Sequence, residues 1–335
     1  MHLPMGLVGG TPRGGAAEGM RLTLPSALPV SDYSCISIVF LPAGYRSRMA
    51  RSRDPIDPPA AKLSDGRQAR IIPGRFAGGW ELVVETTPQS HVDLDDPSHL
   101  HFEYIARMGA VIDQIGMPGE ALTAVHLGAG ALTLPRYVEH TRPGSRQQVI
   151  ELEQALIDLV REHLPLPRTG QLRVRIGDAR DVAARLPPGI VGKVDLVVSD
   201  VFAGAQTPAH ITSVEYYRIL AGLLAPAGIL LVNIADGSGL AFARRQVATV
   251  RSVLEHVVIL AEVGTLKSGR FGNIVIAASP VPLPMEWLPR LMAAGPHPAK
   301  VAHGAELEAF ARDARIMTDA DSTPSPKPAA SVFDR

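Results

Sequence analysis

Small and acidic residues follow several short apolar runs in this sequence. Gly128 and Gly130 form a Gly-x-Gly turn after the run Ala124–Leu127, and Asp200 follows the run Val194–Val198. Glycine lets the backbone turn tightly and approach a ligand closely. A carboxylate at a strand end can hold an ammonium group, accept its proton and orient the nitrogen lone pair. These residues predict a ligand site with acid–base chemistry.

Two further acids occupy comparable positions. Glu151 lies about 20 residues after the glycine turn, where an acid binds ribose hydroxyls in nucleotide-binding folds. Asp178 and Ala179 follow a third run in "VRIGDARDV". Glu153 is an equally suitable solvated acid, and Asp178 would also serve as a simple helix N-cap. Thr133 replaces the third glycine of a dinucleotide fingerprint, so the pattern favours adenosine over a dinucleotide.

Alternating strands and helices must position these residues. Helices are predicted over 153–163 and 213–224, and strands alternating with helices predict an α/β fold with a Rossmann-like, doubly wound, mostly parallel sheet. The last two strands lack an obvious helix between them, so we expect them to pair antiparallel at an edge. The predicted strands are Ala124–Leu127, Gln148–Leu152, Arg173–Ile176, Val194–Val198, Gly228–Ile234, Val257–Val263 and Asn273–Ala278.

Composition divides the chain into four parts. Residues 1–65 are rich in Gly, Pro, Ser and Ala, which predicts a disordered extension. Residues 66–98 predict a small β-hairpin domain, and residues 99–280 the Rossmann-like domain. Residues 281–335 form a Pro/Ala-rich C-terminal segment, which from Thr318 onward predicts a disordered tail.

The charge balance excludes some classes of partner. Lys plus Arg and Asp plus Glu both number 33, which gives no basis for binding nucleic acid or an anionic membrane. No apolar run approaches the roughly 20 residues that span a bilayer. The single cysteine, Cys35, excludes an intramolecular disulfide and argues against a cysteine-based zinc site. We therefore expect a soluble cytoplasmic protein.

The segment "SHVDLDDPSHLH" gathers histidines and aspartates that invite a metal interpretation. His99 and His101 are two residues apart, so at a helix start their side chains would point in different directions. We therefore expect no metal and interpret the segment as a helix N-terminus capped by Asp96 or Ser98.

Five segments, in this order, resemble the spermidine synthases, the polyamine aminopropyltransferases of the class I S-adenosylmethionine-dependent transferase superfamily. The resemblance covers about residues 70–280. It implies a small N-terminal β domain before a Rossmann-like domain, and a homodimer. The segments are "VETTPQSHVDLDDPSHLHFEYIARM", "HLGAGALTLPRYVEH", "VIELEQALI", "IGDARDV" and "VDLVVSDVFAGAQTPAHITSVEYYRIL".

The resemblance also implies roles for individual residues. Asp200 would be the catalytic aspartate, and Tyr104 would face the substrate. The residues expected to bind the nucleoside of the donor are Gln89, Gly128, Gly130, Glu151, Asp178 and Ala179. Asp236, an acid at a later strand end in "NIADGSG", is a further candidate for binding the substrate amine.

Two departures from the family concern the amine. Ala131 replaces an aspartate that holds the aminopropyl amine, and Ala203 replaces the second acid of the loop that begins at Asp200. A diamine requires acids at two points, because an unpaired buried cation is costly. Three functions therefore stay open: aminopropyl transfer from decarboxylated S-adenosylmethionine to an amine, methyl transfer from S-adenosylmethionine, and non-catalytic nucleoside binding.

Overall fold

In this computed structural model, the chain forms a small antiparallel sheet followed by a larger α/β domain. The predicted disordered extension lies mostly outside the described residues. Among those residues every helix is too short or too polar to cross a bilayer. The structure describes residues 57–166, 171–268, 270–294 and 297–328.

The small sheet has four antiparallel strands in the order β1-β2-β3-β4. They are β1 (Ala60–Lys62), β2 (Gln68–Pro73), β3 (Gly79–Val84) and β4 (Thr87–Asp93). Alternate residues of β2 are buried against the large domain, as a one-sided sheet requires. The predicted small N-terminal β domain is confirmed, and its first strand already begins within the part predicted as an extension.

The large sheet has eight strands in the order β12-β10-β11-β9-β8-β5-β6-β7. Strands β7, β6, β5, β8 and β9 are parallel, which confirms the predicted Rossmann-like sheet. The strands are β5 (Thr123–Leu127), β6 (Arg146–Glu151), β7 (Gln171–Ile176), β8 (Val194–Ser199), β9 (Leu224–Asp236), β10 (His256–Glu262), β11 (Gly272–Ser279) and β12 (Ala299–Ala302).

The antiparallel end of this sheet differs from the prediction in two respects. Strands β10 and β11 pair antiparallel as expected, but helix α7 (Val263–Ser268) lies between them in the chain. The edge strand, however, is β12, which pairs with β10. Its sequence "AKVA" lies in a Pro/Ala-rich stretch and is too short for its composition to indicate a strand.

Helices cover both faces of the large sheet with buried apolar side chains. The helices predicted over 153–163 and 213–224 are confirmed as α3 and α5. The remaining helices follow the same one-sided pattern. The helices other than α7 are α1 (Glu103–Ile112), α2 (Thr133–Thr141), α3 (Gln154–His163), α4 (Ala179–Ala184), α5 (Val214–Leu223), α6 (Ala241–Arg251), α8 (Leu288–Ala293) and α9 (Gly304–Phe310).

Helix α1 does not begin where its predicted cap lies. It begins at Glu103 after Phe102, and no side chain caps it. Asp96 instead accepts hydrogen bonds from the Ser98 N–H and hydroxyl within a turn. The prediction of an N-cap was wrong because Asp and Ser make the same side chain–backbone bonds in turns as in helix caps.

Residues 318–328, part of the predicted disordered tail, pack on the large domain, which contradicts the prediction for them; residues 329–335 lie outside the described residues. Asp319 forms a bidentate ion pair with Arg180. Ser325 and Thr207 exchange two hydrogen bonds, one through the Ser325 hydroxyl. The prediction of disorder was wrong for these residues because it used only their polar composition. The segment is ordered by partners more than a hundred residues away in the chain.

Candidate functional site

A cavity of about 290 Å³ lies at the carboxyl ends of the parallel strands and is lined by residues of both sheets. Open α/β sheets bind ligands at this edge. All the predicted site residues except Asp236 line it. The lining residues predicted from the sequence are Gln89, Tyr104, Gly128, Gly130, Glu151, Asp178, Ala179 and Asp200.

Asp236 lies elsewhere, which contradicts its prediction as a substrate-binding residue. It ends β9 and is buried. Its two carboxylate oxygens accept hydrogen bonds from the N–H groups of Gly237 and Ala243. The side chain therefore satisfies backbone donors at the start of α6, and it is not among the residues that line the cavity.

The glycine turn is packed against the protein itself. Gly128 has a φ of +85°, and a Cβ there would overlap the backbone carbonyl oxygen of Asp200. Gly130 has a φ of +48°, and its Cβ would overlap the hydroxyl of Ser90 on β4. From the sequence, we expected a ligand to occupy the space beside these glycines. The structure shows that the glycines first allow the turn, the Asp200 loop and the small sheet to meet.

Glu151 lies beside this turn at the end of β6. Its Oε2 accepts the Ala129 N–H at 2.9 Å, and its Oε1 accepts the Glu153 N–H at 3.1 Å. Burial raises the pKa of Glu151, although these backbone hydrogen bonds oppose the rise. Each carboxylate oxygen can accept a second hydrogen bond, which suits the two hydroxyls of a ribose. Glu153, the alternative acid, binds Ser64 of the small domain instead.

Asp178 serves as a helix cap and also lines the cavity. Its Oδ1 accepts the N–H groups of Arg180 and Asp181 at the start of α4. Its Oδ2 lies 2.7 Å from Nε2 of His210, which also lines the cavity. Burial alone would raise the pKa of Asp178, but these hydrogen bonds and the His210 charge lower it overall. Asp178 is therefore held as an ionised, fixed acceptor.

Asp200 has a different environment. It follows β8, and its Oδ1 accepts the side-chain N–H of Asn233 at 2.8 Å. The Tyr104 hydroxyl also interacts with this carboxylate. Burial raises the pKa of Asp200 to about 6, although both contacts oppose the rise. A carboxylate with this pKa is ionised at pH 7 and is a stronger base than an exposed aspartate.

The amide of Asn233 is itself oriented by a neighbour. Asn273 on β11 donates a hydrogen bond of 3.1 Å to the side-chain oxygen of Asn233. This leaves the Asn233 nitrogen free to donate to Asp200. Neither Asn233 nor His210 was predicted from the sequence. The signal for Asn233 is one amide within the apolar run "GILLVNIA", whereas His210 lies in a three-residue 3-10 helix, Ala209–Ile211, that no sequence pattern indicates.

His126 also borders the cavity, but its side chain is buried and bonded within the protein. It is buried, and its Nε2 lies 3.0 Å from the side-chain oxygen of Gln147. Burial lowers its pKa to about 4, so the ring is neutral at pH 7. Among the described residues, no group of three or more His, Cys, Asp or Glu side chains is arranged to hold a metal ion.

The geometry of this site can be compared with solved structures. The chain is similar to a probable spermidine synthase from Corynebacterium glutamicum, with 31% identity and a TM-score of 0.72 over 82% of this chain and 100% of that one. This chain belongs to the spermidine synthase-like family. Spermidine synthase from Thermotoga maritima shares the fold, with 13% identity and a TM-score of 0.50 over 78% of this chain and 81% of that one. No family model matches the chain, and no curated protein does.

The two alanines that depart from the spermidine synthase-like pattern have different surroundings. Ala131 is fully buried, and its N–H donates to the Ser90 hydroxyl at 3.1 Å. Ala203 lines the cavity beside Val201 and Phe202. Positions 201 to 203 therefore give this part of the wall an apolar surface without a second carboxylate.

Proposed function

We propose that this chain is a transferase that binds an S-adenosyl sulfonium donor and moves an alkyl group, in the first place aminopropyl, to an amine. Membership of the spermidine synthase-like family supports transferase chemistry of this class. The observation that carries the proposal is the Asp200 carboxylate, with its pKa of about 6, in the same cavity as Glu151 and Asp178.

The donor nucleoside would bind along three strand ends. Glu151 would accept the ribose hydroxyls, and Asp178 with Ala179 would contact the adenine. Gln89 and the glycine turn would lie along the rest of the nucleoside. The sulfonium would then lie near Gly128, whose neighbour in space is the loop of Asp200. This arrangement brings the carbon that reacts toward the catalytic acid.

In the reaction the amine nitrogen forms a bond to the carbon next to sulfur, and the C–S bond breaks. The electrons of that bond neutralise the sulfonium, so methylthioadenosine leaves as a thioether. An alkylamine has a pKa of about 10 and arrives protonated at pH 7. Asp200 would bind the ammonium, accept its proton and aim the lone pair at the carbon. The raised pKa of Asp200 lies closer to that of the ammonium group, which makes the proton transfer less unfavourable.

Methyl transfer from S-adenosylmethionine is the second candidate. It is favoured by the environment of Ala131, which is buried and apolar where the resembling family holds the aminopropyl amine. Without that acid, the cavity does not favour decarboxylated S-adenosylmethionine, whose tail has only an ammonium group, over S-adenosylmethionine, whose tail also has a carboxylate. The two reactions leave different products, methylthioadenosine and S-adenosylhomocysteine.

The test is an activity screen of the wild type and Asp200→Asn with both donors and a panel of amines. We expect Asp200→Asn to lower kcat by about 10²- to 10⁴-fold, the usual contribution of a positioned acid or base. Asp158→Asn, on the exposed part of α3, is the matched control and should leave kcat unchanged. Equal turnover of wild type and Asp200→Asn would remove Asp200 from the mechanism.

Thermal unfolding separates lost chemistry from a lost fold. Burial raises the pKa of Asp200 from 3.8 to about 6, so ionising it costs stability as the pH rises through that value. Asparagine does not ionise, and its oxygen can still accept the Asn233 hydrogen bond. Asp200→Asn should therefore unfold at pH 8 at no lower temperature than the wild type. Binding of methylthioadenosine without turnover of either donor would favour a non-catalytic nucleoside-binding protein.

A further inference from the structure

The charged side chains that line the cavity are mostly committed to bonds within the protein. Glu151 is bound by two backbone N–H groups, and Asp178 by two more and by His210. Glu153 is bound by Ser64. All three of these residues are acids. By themselves they would favour only a ligand group that is cationic or donates hydrogen bonds.

Among the lining residues that the structure describes, Arg67 is the one arginine or lysine, and its guanidinium is only partly bonded. Its N–H donates to Oδ1 of Asp65 at 3.0 Å, and its Nε donates to Oδ2 at 2.5 Å. Within the described residues, no protein acceptor is hydrogen-bonded to its two terminal nitrogens. Its side chain is about one-third exposed, at 34%. Asp65 thus fixes one edge of the guanidinium and leaves the other edge free for a ligand.

The turn between β1 and β2 places this free edge beside the reacting end of the cavity. Ser64 in the turn is bound to Glu153, close to the predicted ribose acid. Arg67 at the end of the turn reaches Gly204, with Nη1 about 3.3 Å from the position of a Cβ there. Gly204 belongs to the loop that follows Asp200. Arg67 therefore lies between the nucleoside end and the catalytic loop, where the chain attached to sulfur would extend.

We infer that Arg67 binds a carboxylate of the substrate. The inference rests on the proposed function and deepens it, because it assigns an anionic group to one of the two molecules that react. A guanidinium edge with two free N–H donors matches the two oxygens of a carboxylate. The carboxylate is the α-carboxylate of S-adenosylmethionine or that of an amino-acid acceptor. A diamine with decarboxylated S-adenosylmethionine would leave this edge of Arg67 without a partner.

The first arm of the test measures donor binding by isothermal titration calorimetry. The ligands are S-adenosylmethionine, its decarboxylated form and methylthioadenosine, which lacks the whole tail. If the donor supplies the carboxylate, the wild type should bind S-adenosylmethionine about tenfold more tightly than the decarboxylated form, and Arg67→Gln should abolish this preference. Binding of methylthioadenosine should stay within about twofold in all variants.

Two controls isolate the effect of the guanidinium. Arg70→Gln makes the same change on the neighbouring part of β2, where Arg70 binds the Glu85 carbonyl and does not line the cavity. It should leave the donor preference intact. The double variant Asp65→Asn with Arg67→Gln removes both charges. It should behave like Arg67→Gln, which would show that the exposed Asp65 charge is not the cause of the loss.

The second arm tests the acceptor with pairs that differ by one carboxylate: ornithine against putrescine, and lysine against cadaverine. If the acceptor supplies the carboxylate, Arg67→Gln should raise KM at least tenfold for the amino acid and not for the diamine. The inference is overturned if Arg67→Gln changes neither the donor preference nor the acceptor preference. Failure of the wild type to bind methylthioadenosine would instead overturn the proposed function on which the inference rests.

Discussion

The nucleoside end and the reacting end of the cavity hold their acids in different ways. At the nucleoside end, Glu151 and Asp178 each accept two backbone N–H groups, one of them from Ala129 in the glycine turn, and Asp178 also contacts the His210 side chain. At the reacting end, Asp200 is held by the side chains of Asn233 and Tyr104. A backbone N–H can hold a carboxylate whatever the side chain of its residue, whereas a side-chain donor requires a particular residue at a position far away in the chain.

This difference has an electrostatic consequence. Asp178 and Asp200 are the same residue type after two strands of one parallel sheet, β7 and β8, yet the pKa of Asp178 is lowered and that of Asp200 is raised to about 6. Backbone N–H groups and His210 outweigh burial at Asp178, while burial outweighs two side-chain contacts at Asp200. Asp178 is therefore suited to a fixed charge and Asp200 to a proton that moves, while burial also raises the pKa of Glu151 at the nucleoside end.

The largest loss of activity is expected at Gly128, where the glycine turn of the nucleoside end contacts the backbone of Asp200 at the reacting end. Gly128→Ala would place a methyl group on the carbonyl oxygen of Asp200 and would force an L-residue to a φ of +85°. We expect turnover to fall at least about 100-fold, because Asp200 must move. Stability should fall by roughly 2–4 kcal/mol from strain and overlap together. Activity assays and denaturant unfolding measure both.

Gly119→Ala is the matched control for that change. Gly119 has a φ of +79°, but a Cβ there meets no atom within 4 Å. It should lose about 1–2 kcal/mol from backbone strain and keep full turnover. Equal losses in the two variants would show that the contact between the glycine turn and Asp200 does not link the two ends.

The pH profile tests whether Asp200, at the reacting end, titrates near pH 6. Because Asp200 must be ionised to accept a proton, kcat/KM should fall about tenfold for each pH unit below its pKa of about 6. Tyr104→Phe removes one contact that lowers this pKa, so the inflection should move to higher pH. An inflection near 4 in the wild type, as for an exposed aspartate, would contradict the difference between the two ends.

The smallest effect concerns the C-terminal segment. Asp319 pairs with Arg180, which also donates to the His210 carbonyl beside Asp178. Asp319→Asn should therefore weaken methylthioadenosine binding by about two- to fivefold, since the pair is partly exposed. Asp321→Asn breaks a similar ion pair from the same segment to Arg245 on α6, away from the cavity. Equal effects of both variants would show that the segment acts only through stability.

The strand ends were predictable from the sequence because local patterns define them. Apolar runs that end in glycine or acid placed Gly128, Glu151, Asp178 and Asp200 at one sheet edge, and all four line one cavity. Asp236 also ends a strand but does not line the cavity. A strand end shows that a side chain lies near this edge of the sheet, but not whether it borders the cavity or is buried against the next helix, as Asp236 is at the start of α6.

The contacts that tune the site were not predictable, because they join residues far apart in the chain. Asn233 is 33 positions from Asp200, and His210 is 32 positions from Asp178. Asp319 is 139 positions from Arg180. No periodicity or spacing records such pairs, and polar composition near the C-terminus indicated disorder where these partners impose order.

The contact between Gly128 and the Asp200 backbone also bears on how relatives of this chain should be judged. A Gly-x-Gly turn is usually taken as a sign that a nucleotide still binds. In this fold, a substitution at Gly128 would overlap the Asp200 backbone, so packing within the protein selects for glycine whether or not a ligand binds. A descendant that had lost its ligand would keep the glycines as long as it folded. Acids such as Glu151, whose spare acceptor sites serve the ligand, are therefore the better markers of retained binding.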